Sequence, residues 1–107
     1  MTFKSQISNL YDIVFTRLEK EWSFEPLTEP LLTSKEITVV LSTTQRKYLI
    51  RLRKGKYYIL SFKRADKIME LDWNEKGKYK NAEELYSALN GFFVYLEDYD
   101  PSLKRRS

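Results

Sequence analysis

Apolar residues recur at steps of three and four along residues 4–21, where Ile7, Leu10, Val14 and Leu18 fall on one side of a helix with Tyr11 and Phe15 beside them. That spacing predicts an amphipathic helix with one broad apolar stripe, its Asp12, Arg17, Glu19 and Lys20 turned to solvent. The next stretch, SFEPLTEPLLTS, carries Pro26 and Pro30. Each removes a backbone donor and pushes the glutamate before it toward an extended conformation. This stretch reads as a connector pinned by Leu27 and Leu31.

From Lys35 the period changes to two. EITVVLSTT sets Ile37, Val39 and Leu41 on one face among β-branched neighbours, which predicts a strand. Two more strands follow over 46–53 and 56–64, joined at Arg53-Lys54-Gly55. A fourth, KIMELDW, alternates Met69, Leu71 and Trp73 against Ile68, Glu70 and Asp72, and Lys76-Gly77 is expected to turn the chain. Asn81 with Glu84 three positions on has the form of a helix N-cap. The helix it opens has a stripe of Leu85, Leu89, Phe92 and Leu96, with Ala88 and Phe93 alongside. Gly91 lies inside that helix, where glycine costs about 1 kcal/mol relative to alanine; a close approach to the sheet is the expected reason. The closing PSLKRRS reads as a frayed tail.

The order helix, four strands, helix, with local turns, predicts an α+β fold in two layers. The sheet is mainly antiparallel and both helices lie on one of its faces. The expected organisation is a single domain over 1–100 and a basic tail over 101–107. A chain of 107 residues with 42% hydrophobic content can fill such a core without metals or disulfides. The chain has no cysteine, no signal-like N-terminal run and no stretch approaching the ~20 apolar residues of a membrane span, so a cytoplasmic location is expected.

Charge sharpens the picture. The net charge is +4, but residues 45–67 alone carry Arg46, Lys47, Arg51, Arg53, Lys54, Lys56, Lys63, Arg64 and Lys67 against the single acid Asp66. Residues 81–100 hold only acids: Glu83, Glu84, Glu97, Asp98 and Asp100. The molecule is polarised, and the acidic helix is expected to offer a second contact surface.

Hairpin register decides which side chains share the basic face. A two-residue loop, Lys54-Gly55, puts Tyr48, Ile50, Leu52, Tyr57 and Ile59 together. A three-residue loop with glycine in the left-handed position instead collects Tyr48, Ile50, Leu52, Tyr58, Leu60 and Phe62. The second face is the more apolar and is the one expected. Its exposed counterpart holds Lys47, Leu49, Arg51, Arg53, Tyr57, Ile59, Ser61 and Lys63. The first register would expose Lys56, Tyr58, Leu60, Phe62 and Arg64 instead of Tyr57, Ile59, Ser61 and Lys63. Either way an open sheet shows cations around aromatic and aliphatic groups. That chemistry suits single-stranded nucleic acid, in which phosphates meet cations and bases stack on rings. The same residue types suit an acidic protein partner, as for a small inhibitor or adaptor, or a homodimer. The candidate binding residues are therefore Lys47, Arg51, Arg53, Lys56, Tyr57, Ile59, Lys63 and Arg64.

With neither histidine nor cysteine, imidazole acid–base catalysis, thiol nucleophiles and ordinary zinc sites are excluded. Three glycines, Gly55, Gly77 and Gly91, cannot build a phosphate-cradling loop of the P-loop or dinucleotide type. Glu70, Asp72 and Glu75 are close in sequence, but no acid has a lysine two positions on, as one metal-nuclease motif requires. An iron-binding role would need a more acidic first helix than one carrying Asp12, Glu19 and Glu21. No catalytic activity, cofactor or metal is expected.

Overall fold

The computed structural model describes residues 3–26, 29–63 and 71–106. Helix α1 spans Phe3–Glu21 and buries Ile7, Val14, Phe15 and Leu18, with Tyr11 stacked on Phe15 at a centroid distance of 5.0 Å. The supposed connector does more than link elements. It forms two two-residue strands, β1 (Glu25–Pro26) and β2 (Leu31–Leu32), both antiparallel to β3 (Glu36–Ser42). They cover the outer edge of β3, where proline's missing N–H is harmless. The sheet continues in chain order through β4 (Arg46–Arg53), β5 (Lys56–Lys63) and β6 (Leu71–Lys78), every pairing antiparallel. Helix α2 (Ala82–Tyr99) closes the fold. The fold is α+β, with both helices flanking the sheet and six strands among the described residues rather than four.

Two connections use the same device. Thr33 Oγ1 accepts hydrogen bonds from the amides of Lys35 and Glu36, and Thr43 Oγ1 accepts from those of Gln45 and Arg46. Each hydroxyl satisfies the backbone of a tight turn between strands.

The inner face of the sheet is read directly from burial. Ile37, Val39 and Leu41 of β3, Tyr48, Ile50 and Leu52 of β4, and Tyr57 and Ile59 of β5 are all buried, packed with Trp22, Phe24, Leu85, Leu89, Phe93 and Leu96. In α2, Phe93 rather than Phe92 is the fully buried phenylalanine; Phe92 is half-buried. Asn81 caps α2 as expected, accepting from the Glu84 amide at 3.0 Å, while the Glu84 carboxylate accepts from the Lys80 amide at 2.7 Å. Among the described residues no helix is long and apolar enough to cross a membrane.

Four further expectations are corrected. The β4–β5 hairpin takes the two-residue loop, pairing Arg53 with Lys56 and Leu52 with Tyr57, although Gly55 does adopt a left-handed φ of 70°. A residue distant in sequence holds this turn. Tyr79 donates its hydroxyl to the Arg53 carbonyl at 2.6 Å and its amide to the Gly55 carbonyl at 3.2 Å. Second, Lys76-Gly77 is not a turn. Both lie inside β6, where a bulge shifts the register between Lys56 and Tyr58 and Gly77 sits at φ 113° against the Tyr57 ring. The proposed start of that strand, at Lys67–Glu70, lies outside the described residues.

Third, Gly91 makes no close approach to the sheet: beyond its own helix backbone, a Cβ there would meet no atom of the described residues within 4 Å. Fourth, the C-terminal residues do not fray. Leu103 is buried, the Ser23 amide bonds to the Lys104 carbonyl, and the Arg106 amide bonds to the Glu21 carbonyl. Arg106 Nε also donates to the carbonyls of Glu19 and Trp22, supplying donors where α1 runs out of its own.

Candidate functional site

Alternation along the strands sends β3 residues Glu36, Thr38 and Val40, β4 residues Lys47, Leu49, Arg51 and Arg53, and β5 residues Lys56 and Tyr58 to the face away from the helices. All of them keep solvent exposure. Register aligns these residues in rows across the sheet. Glu36, Arg53 and Lys56 form one, Thr38, Arg51 and Tyr58 the next, and Val40 and Leu49 a third. Leu60 is the β5 register partner of Leu49, and Trp73 is the β6 partner of Leu60.

Lys47, Arg51 and Arg53 thus share one face, as expected from either register, and Lys56 joins them, as only the two-residue loop predicts. Tyr57 and Ile59 do not: they are 5% and 2% exposed and belong to the core, because the two-residue loop inverts β5 relative to the expected pairing. Tyr58 takes the outer position instead, with the Arg53 guanidinium 5.9 Å from its ring centroid. Lys63 is the register partner of Arg46 at the open end of the hairpin, and Arg64 lies outside the described residues.

The face holds an acid that composition alone does not assign to it. Glu36 Oε2 accepts from Arg53 Nε at 2.8 Å, and Glu36 Oε1 lies 3.5 Å from Arg51 Nε. The hydrogen bond that Arg53 donates to Glu36, and then the charge of Glu36, hold the Arg53 guanidinium above its ordinary pKa, so it stays cationic. The residue was visible as a strand-opening glutamate. Its position over two arginines follows only from the Glu36–Arg53 register.

The acidic group disperses. Glu84 is a helix cap, and Glu83, on α2, lies 3.8 Å from Arg17. Asp100 is fully buried. Its Oδ2 accepts from the Thr43 hydroxyl at 2.6 Å and the Tyr48 hydroxyl at 2.9 Å, and its Oδ1 from the Ser102 amide at 3.0 Å. Burial by itself would raise the Asp100 pKa, but the hydrogen bonds from Ser102, Thr43 and Tyr48 outweigh it and hold the carboxyl below its ordinary value. An open groove of about 780 Å³ lies nearby, lined in part by Ser23, Thr43, Ser102 and Arg106. Those four side chains are engaged in hydrogen bonds within the fold, so this region is a structural joint between the C-terminal segment and the sheet. A local signal existed in the Asp-x-Ser spacing of Asp100 and Ser102, which forms an Asx turn. The partners Thr43 and Tyr48 had no such signal.

Because α2 packs on the inner face of the sheet, it leaves the basic outer face open rather than covering it. In comparisons with protein-family models, with curated proteins and with solved structures, none matches this chain.

Proposed function

We propose that the chain is a non-catalytic binding module whose outer sheet face holds single-stranded nucleic acid. The observation that carries this reading is the gathering of Lys47, Arg51, Arg53 and Lys56 around Tyr58 and Leu49 on one solvent-facing side of the sheet. The cations track phosphates, and the tyrosine ring supplies a stacking surface worth roughly 1–3 kcal/mol per base. With Glu36 offsetting one charge, about three phosphates are neutralised, and the logarithm of affinity falls against the logarithm of salt with a slope of roughly −2.

The test is fluorescence anisotropy of labelled single-stranded oligonucleotides between low and physiological salt. Wild type is run beside Arg51→Gln/Arg53→Gln; glutamine is preferred to glutamate because reversal would set three carboxylates side by side at Glu36. Salt-sensitive binding that the variant loses supports the reading. Absence of binding at low salt ends it.

One observation favours a second reading, an acidic protein partner. Val40 and Leu49 are cross-strand neighbours on this face and provide an aliphatic anchor beside the arginines. Such a contact would be far less sensitive to salt and would be lost in Leu49→Ala.

A further inference from the structure

Glu36 occupies the space between two guanidinium groups, with one carboxylate oxygen directed to each arginine. Its side chain is 15% exposed, beneath Arg51 and Arg53 side chains that are 39% and 54% exposed. Register produces this arrangement. Glu36 stands directly opposite Arg53, and Arg51, two residues earlier on the same face of β4, is reached diagonally. The arginine pair therefore already holds one oxyanion, hydrogen-bonded to Arg53 and ion-paired with Arg51 at 3.5 Å. A phosphate group would be held the same way.

Resting on the nucleic-acid reading, we propose that this position is a backbone-phosphate subsite and that Glu36 is its internal competitor. Glu36 occupies the two arginines in the free protein and yields them when a phosphate binds. It thereby sets the affinity of the whole face, and it excludes ligands too weakly anionic to displace a carboxylate. The competition has a definite sign: removing the negative charge of Glu36 tightens binding, whereas removing a residue that merely aims the arginines weakens it.

The experiment measures affinity for a labelled single-stranded oligonucleotide at several salt concentrations for wild type, Glu36→Gln and Glu83→Gln. Glutamine keeps an oxygen that accepts from Arg53 and loses the charge. Glu83 makes the same charge change on α2, across the sheet from the subsite. Glu36→Gln is expected to bind roughly two- to fivefold more tightly at low salt, with a salt slope steeper by about 0.7, the increment for one more neutralised phosphate. Glu83→Gln is expected to leave both quantities close to wild type.

Should Glu36→Gln fail to fold, Thr38→Glu serves in its place. It adds a carboxylate opposite Arg51 and is expected to weaken binding by a similar factor and flatten the slope. Salt-sensitive wild-type binding that Glu36→Gln leaves equal or weaker overturns the subsite and spares the nucleic-acid reading. So does an equal gain in Glu83→Gln, which would make the effect one of net charge. No binding by any variant at low salt removes both.

Discussion

Asp100 and the glycines show how differently single residues serve this fold. The buried Asp100 carboxylate gathers hydroxyls from Thr43 and Tyr48 and the backbone at Ser102. Asp100→Asn takes away the charge and leaves hydroxyl donors poorly matched, so it is expected to cost about 2–3 kcal/mol in urea unfolding. Its pH dependence has a defined sign. The folded pKa lies below the ordinary value of 3.8, so the stabilisation is present above that value and is lost as pH falls through the folded pKa. The stability gap between wild type and Asp100→Asn should therefore hold at neutral pH and narrow in acid below about pH 4. The glycines part in opposite directions. At Gly91 a methyl group meets open space on a helix, and alanine is expected to stabilise by about 0.5–1 kcal/mol. At Gly77, φ is 113° and the Tyr57 ring is in contact range, so Gly77→Ala is expected to destabilise by about 1–3 kcal/mol. Denaturant midpoints of the two variants, read side by side, check both signs.

Elements were legible wherever their own periodicity decided them. The stripe Ile7-Val14-Leu18 and the Asn81 cap formed where spacing and local chemistry placed them. The β5 strand was legible as a strand but not in orientation, because KYYILSFK is apolar on both parities and local preference cannot choose. The observed pairing is one that Tyr79 supports, clasping the Lys54-Gly55 turn from beyond β6. The C-terminal segment is a similar case. Three cations and a serine-flanked leucine suggest fraying until α1 is seen to end beside them. Leu103→Ala is expected to cost about 2–5 kcal/mol, as for any buried leucine. Leu31→Ala, at a residue 66% exposed, should stay within about 0.5 kcal/mol of wild type. Equal midpoints for the two variants would show that the C-terminal segment is not docked.

At the scale of the molecule the sheet separates charge. Lys47, Arg51, Arg53 and Lys56 face outward, while Glu83, Glu84, Glu97 and Asp98 belong to a helix on the other side. Opposite placement keeps the two groups from neutralising each other at close range; under the proposed function it gives an incoming polyanion one attractive face. For a bound oligonucleotide, the association rate is expected to carry most of the salt dependence and the dissociation rate much less. Stopped-flow measurements at two ionic strengths separate the two; a salt effect confined to dissociation would contradict steering by this face.

Sequence by itself determined the α+β class, the two amphipathic helices, the antiparallel strand series and the concentration of cations on the central hairpin. Each of these depends on periodicity or composition within a few residues of chain. Tertiary structure alone decided that Tyr57 and Ile59 are core, that Tyr58 faces outward, that Glu36 sits between Arg51 and Arg53, and that Asp100 is buried beneath Thr43 and Tyr48. Those outcomes turn on register and docking. Shifting a strand by one residue exchanges its two faces at little local cost, and contacts made by residues far along the chain select between them.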